Sequence, residues 1–322
     1  MKHAALALAA ALALASPALA QTASMAPTFK EAAALYSDEN YAAAYEIAAP
    51  LATGGNVDAM LMLAEMYEQG LGRDKDLAVA IQWYDTAAAA GNVSAMFRLG
   101  MLYLRGPKSI ANPAKARDWF AQAAEAGNMQ AANELGLMYY QGNGVEQDAV
   151  KAVTHISKAA QAGLAQAQYN LGLLYANGHG VGKDLSTAGD WFQKAALQGL
   201  PQAALDYGLL VYTGDGGIRK DQEIGAQWLL VAANAGLPDA QLLMARILAS
   251  GRGAEKDRVE AGKFYLLAKQ AGKADADLDV MLENLSSPQR GDAERRVRVF
   301  VEELKRNALN PSGGKSDAAI TN

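Results

Sequence analysis

The stretch AQYNLGLLYANGHGVGKDLSTAGDWFQKAA, Ala167 to Ala196, recurs in altered form along most of the chain, and that recurrence decides the fold. Gly55, Gly91, Gly127, Gly163, Gly199, Gly236 and Gly272 mark units of 36 residues, with one spacing of 37. Four residues after each opening glycine stands an alanine: Ala59, Ala95, Ala131, Ala167, Ala203 and Ala240. Leu63, Leu99, Leu135 and Leu171 follow, with Tyr207 and Met244 in the later units, and a minimal side chain comes next: Ala64, Gly100, Gly136, Gly172, Gly208 and Ala245. Tyr67, Tyr103, Tyr139 and Tyr175 complete the pattern. Recurrence at intervals of four predicts one α-helix whose Ala, Leu and Tyr columns form a buried stripe, while the small column admits a second helix closely.

Glycine ends each first helix, at Gly70, Gly106, Gly142, Gly178, Gly214 and Gly251, because a left-handed residue costs glycine little. Asp76, Asn112, Asp148, Asp184, Asp221 and Asp257 then stand where a side-chain oxygen can accept from the free N–H groups of a second helix. Pro113 suits the first turn of that helix. The second helix carries Trp83, Trp119, Trp191, Trp228 and Phe264, followed by paired alanines such as Ala123 and Ala124. The last pair becomes Ala268 and Lys269, which predicts that stacking stops there and that the charge faces water. The single extra residue falls within Asp215 to Ile218, a predicted loop.

These residues resemble the Sel-one-like repeat family, relatives of the tetratricopeptide repeats, over about residues 55–272. The shared pattern is Ala-x-x-x-Leu-Gly-x-x-Tyr-x-x-Gly, then Gly-Val, Asp, Trp and Ala-Ala. The resemblance implies an all-α fold, a right-handed superhelical solenoid of antiparallel helix pairs with about six repeats plus caps. It also implies a concave face used mostly for protein–protein contact. A solenoid grows by addition, so 322 residues need no second core.

The ends read differently from the repeats. Met1-Lys2-His3, an apolar run from Ala4 to Ala15 and the small residues Ala18-Leu19-Ala20 predict a signal peptide over 1–20, cleaved after Ala20, and hence a periplasmic protein. Pro17 interrupts the run too early for a stable membrane anchor. Residues 21–54 read as a linker and an N-terminal capping helix pair from Phe29 to Leu51, with Tyr36, Tyr41, Tyr45 and Ile47 as its apolar members. Residues 273–309 read as C-terminal capping helices, with Val297, Phe300, Val301 and Leu304 at helical spacing, and 310–322 as a disordered tail. The chain has no cysteine, so repeat packing must supply its stability. Without Lys2, 28 bases face 34 acids, a net charge of −6 that argues against nucleic acid.

Little in the sequence points to catalysis, and no catalytic residue, cofactor or metal ligand is nominated. His155 replaces the aromatic of its column and reads as a packed ring; His179, in Gly178-His179-Gly180, reads as a solvated side chain. The glycine-rich loops lack the preceding strand and following Lys-Ser of a phosphate loop. Some secreted, cysteine-rich relatives of the family are linked to β-lactam hydrolysis, so the alternative is an enzyme acting on the cell wall or β-lactams. Only Ser312-Gly313-Gly314-Lys315 matches its Ser-x-x-Lys motif, without a companion motif. Arg290, Arg295, Arg296 and Arg298 read as a solvated face, since Glu294, Glu302 and Glu303 are interspersed.

The functional candidate is the face of the first helices beside the Ala-Leu-Tyr stripe. It carries Phe97, Met101, Leu137, Tyr140, Tyr169, Leu173, Leu209 and Tyr212, with Leu104 and Leu205 in the same strip. Arg98, Arg105, Glu134, Gln141, Asn170, Asn177 and Asp206 form a polar margin. An apolar, aromatic strip with a polar rim suits a protein or peptide held in a concave groove of a monomer. Burial of the same side chains between adjacent units is the other reading, because large apolar residues at helical spacing are commonly core.

Overall fold

The computed structural model describes residues 28–309, which form sixteen α-helices and one short 3-10 turn. The signal peptide and the tail read from the sequence fall outside the described residues. Two compact units are present, one ending at Ala90 and the other beginning at Gly91.

The first unit contains α1 (Phe29–Ser37), α2 (Tyr41–Thr53), α3 (Val57–Gln69) and α4 (Leu77–Ala89). Its first pair buries alanines, Ala32, Ala44, Ala48 and Ala52, and not the tyrosines expected from the sequence. Those tyrosines pack along the edge: Tyr36 meets Tyr41 edge-on, and the Tyr45 hydroxyl lies 3.0 Å from that of Tyr67. The methyl groups let the helices approach, leaving room for the rings only at the rim.

The second unit is a helical-repeat solenoid. Its pairs are α5 (Val93–Arg105) with α6 (Pro113–Glu125), α7 (Met129–Gln141) with α8 (Ala149–Gln161), α9 (Ala165–Asn177) with α10 (Leu185–Leu197), α11 (Pro201–Thr213) with α12 (Gln222–Asn234), and α13 (Pro238–Ser250) with α14 (Arg258–Gln270). Then come α15 (Ala276–Glu283) and α16 (Ser287–Leu309). Every Asp or Asn assigned to a second-helix cap accepts backbone N–H bonds as expected, for example Asp184 from Thr187 at 3.0 Å. The extra residue of the long unit lies in the 3-10 turn Asp215–Gly217.

The small column works through the residue next after each tryptophan position. A Cβ at Gly172 would stand 2.5 Å from the Phe192 ring, and the same crowding sets Gly100 against Phe120 and Gly136 against Ile156. Phe120, Ile156, Phe192, Leu229 and Tyr265, each next after the Trp position, are the buried ridge. Trp119 and Trp191 are only half-buried. The tyrosine column is corrected similarly. Tyr103, Tyr139 and Tyr175 are half-buried, and the third buried layer is the residue before each, Leu102, Met138 and Leu174. Steps of four drift by about 40° each around a helix of 3.6 residues per turn, so a step of four followed by three stays on the face.

Two further expectations need correction. Gly106 is extended (φ −68°, ψ 174°), unlike the left-handed glycines that end the other first helices, because Pro107 disfavours the helical region for its predecessor. Lys269 does not mark the end of stacking. Its ammonium reaches Asp279 of α15 at 2.6 Å, and α16 lays Val297, Phe300 and Val301 on the same core. The charge is tolerated there because a carboxylate arrives to pair with it.

Candidate partner-binding face

Residues three and four apart share one side of a helix, so each first helix of the second unit carries a second row beside its buried Ala and Leu. Phe97, Met101, Leu137, Tyr140, Tyr169, Leu173 and Tyr212 stand in that row half-buried, and Leu209 is 39% exposed. Phe97 rests against Phe120 and Tyr169 against Phe192, with ring centroids 5.8 and 5.5 Å apart. The strip therefore has a packed inner side and an outer side open to solvent. Leu205 is corrected: at 7% exposure it belongs to the core.

Side-chain bonds cross this face from one repeat to the next. Asn170 donates to Asn133 at 2.9 Å, and the Tyr169 hydroxyl donates to Asp206 Oδ2 at 2.9 Å. Both rungs span 37 residues and occupy equivalent places in successive repeats. Arg105 pairs with Glu134 at 3.0 Å, and the Tyr212 hydroxyl donates to the Arg252 carbonyl at 3.0 Å. His179 is exposed, yet its Nδ1 lies 2.9 Å from the Tyr140 hydroxyl, so it is part of this face and not simply solvated. His155 stacks on Tyr139 with planes 1° apart. Its imidazole is held below the usual pKa by burial and then by the charges of Lys158 and Lys151.

The carboxyl of Asp206 is pushed above the ordinary carboxylate range by burial, with the hydrogen bonds from Tyr169 and Gln202 acting in the opposite direction. Tyr169 is raised well above an ordinary phenol, first by burial and then by the Asp206 charge. Two hollows adjoin the strip. One, of about 560 Å³, has Leu209, Tyr212, Leu243 and Met281 on its walls and Arg246 at its edge. The other, of about 110 Å³, lies among Leu137, Tyr140, Asn170, Leu173 and His179. Apolar walls with a few fixed polar groups are what a bound side chain needs.

Leu243, Arg246 and Met281 were absent from the sequence-derived strip, which ended at Tyr212. Leu243 and Arg246 could have been found, since they occupy in α13 the places that Asp206 and Leu209 hold in α11. Met281 had no such signal, because α15 lies outside the repeat. Asn133, only 3% exposed, sits in the column of Phe97 and Tyr169, where a polar residue gives no apolar signal. Of the arginine cluster, Arg296 is drawn inward to Glu260 at 2.6 Å and Asp292 at 3.1 Å, joining α16 to α14. Among the described residues no three His, Asp or Glu side chains converge to hold a metal, and no helix is long and apolar enough to cross a membrane.

Helix pairs of this spacing, with alanine and glycine at the close contacts, define a helical-repeat scaffold. The Sel1 repeat matches at residues 57–92, 93–128, 130–164, 165–200, 201–237 and 238–273, and the chain belongs to this family. A crystal structure of a Sel1 repeat protein from Oxalobacter formigenes is 30% identical, with a TM-score of 0.67 over 76% of this chain and 100% of that one. The protective antigen c5321 of uropathogenic Escherichia coli, which displays an SLR fold, is 24% identical, with a TM-score of 0.52 over 92% of this chain and 73% of its own. No curated protein matches the chain.

Proposed function

We propose that this protein is a non-enzymatic interaction module of the periplasm, an adaptor or regulator that holds an envelope protein against the first helices of its central repeats. The observation that carries this reading is the apolar strip of the second unit, half-open to solvent and continued by the hollow at Leu209, Tyr212, Leu243 and Met281. A folded scaffold gains nothing in its own stability from leaving Leu209 wet, whereas a partner that covers it gains the apolar area removed from water, about 25 cal/mol per Å². The family's repeat architecture supports a binding role because stacked repeats offer an extended surface. Export follows from the reading of residues 1–20, and mass spectrometry of protein recovered from the periplasm should find Gln21 at the N-terminus.

The test is crosslinking in cells from Met101, Tyr140 and Leu209, followed by identification of the captured protein. Binding of that protein should fall about tenfold or more on Tyr140→Ala or Leu209→Ala, with cooperative melting retained. Unchanged binding in both variants would sink the proposal. The purified protein should also leave nitrocefin unhydrolysed; turnover abolished by Ser312→Ala would instead establish the enzyme.

A further inference from the structure

The first helices of the second unit carry three acids, and two of them are neutralised within the chain. Glu134 meets Arg105 at 3.0 Å and Asp239 meets Lys273 at 2.5 Å. Asp206 is the third. It is half-buried between α9 and α11, receives hydrogen bonds from the neutral Tyr169 and Gln202, and has no cation near it among the described residues. A desolvated carboxylate without a countercharge is costly, and two neutral donors compensate for it only in part. One carboxylate can accept about four hydrogen bonds, so capacity remains.

The side chains around this acid are those of the strip. Leu209 lies one helical turn further along α11, its 39% exposure the largest among the strip residues, while Tyr169 reaches Asp206 from α9. We infer that Asp206 is the docking point for a lysine or arginine of the bound polypeptide, whose aliphatic stem lies over Leu209 and whose neighbouring residues are apolar. Charge complementarity argues for this occupant: Asp206, the acid of the face with no cation beside it among the described residues, adjoins its most exposed leucine. A basic side chain satisfies both, since its stem covers apolar surface while its end reaches the charge. The partner is thus a protein segment with a basic residue set among apolar ones. This rests on the proposed binding role of the same face.

A random peptide library displayed on phage and selected on the purified protein tests the inference without knowledge of the natural partner. The enriched peptides should carry Lys or Arg beside apolar residues and should bind in a fluorescence-anisotropy titration. Replacing the peptide's basic residue by methionine, or Asp206 by Asn, should weaken binding roughly thirtyfold. Asn retains an acceptor for Tyr169, so Asp206→Asn should melt no lower than the wild type. A peptide with glutamate in place of its basic residue should bind Asp206→Lys better than the wild type. Peptides that lose affinity with Leu209→Ala but are indifferent to Asp206→Asn would overturn this inference and leave the binding role standing. Peptides indifferent to both changes, or no enrichment at all, would overturn both.

Discussion

The Asn133–Asn170 rung and the Tyr169–Asp206 rung occupy the same place in successive repeats and have the same length, 2.9 Å, yet they differ in chemistry. The first is neutral, and Asn133 is fully enclosed at 3% exposure. The second contains a carboxylate with no cation beside it among the described residues. Repeat geometry fixes where such a rung can form. Side-chain type then decides whether it only joins two repeats or also leaves an unmet demand at the surface. A neutral rung is complete within the chain, whereas a charged one is completed by something outside it.

The most disruptive change would remove the helix face that carries both rungs. Gly172→Val puts a side chain into the Phe192 ring beneath Asn170 and Tyr169, and should lower stability by about 3 kcal/mol in chemical denaturation. Next, Asn133→Leu leaves the Asn170 amide without its acceptor and should lower stability by about 1–3 kcal/mol at every pH, since neither partner titrates. Tyr169→Phe removes one donor from the Asp206 carboxylate and should lower stability by about 1.5 kcal/mol at pH 7.

The smallest effect is the most diagnostic. Asp206→Asn should raise stability at pH 7 by about 1 kcal/mol. The folded protein holds the Asp206 proton more tightly than the unfolded chain does, because the pKa is raised. The associated stabilisation is complete below the ordinary carboxylate pKa and is lost as pH rises through the raised value. The advantage of the Asn variant should therefore be largest near neutrality and vanish in acid. Thermal melts of both proteins from pH 3 to pH 8 check this; a difference that stayed constant with pH would mean that the carboxylate carries no burial penalty. Asn133→Leu should show no such slope, which separates the two rungs by measurement.

Much of the fold was legible because each local device recurs once per repeat. Six alanines in one column, six capping residues and a glycine at every first-helix end are local devices, and local devices act in the sequence neighbourhood where they are read. Within the column of Phe97, Asn133, Tyr169 and Leu205 the period located the candidate face but did not rank its members. Leu205 went into the core and Asn133 into a buried rung, while Tyr169 kept one edge in solvent. Each outcome depends on the facing side chain of another repeat. The ridge of Phe120, Ile156, Phe192, Leu229 and Tyr265 was not singled out from the neighbouring aromatic column for the same reason, since both columns are apolar and only packing separates them.

The sequence by itself determined the helix pairs, their boundaries, their family and the place of the one inserted residue, because hydrogen bonding, capping and periodicity act over a few residues. Tertiary structure alone decided which acids found a cation. Glu134 and Asp206 occupy the same column two repeats apart; an arginine reaches the first from 29 residues away, and among the described residues none reaches the second. Coulomb attraction falls with distance in space and not along the chain, so the different surroundings of the two acids could be seen only once the repeats were packed.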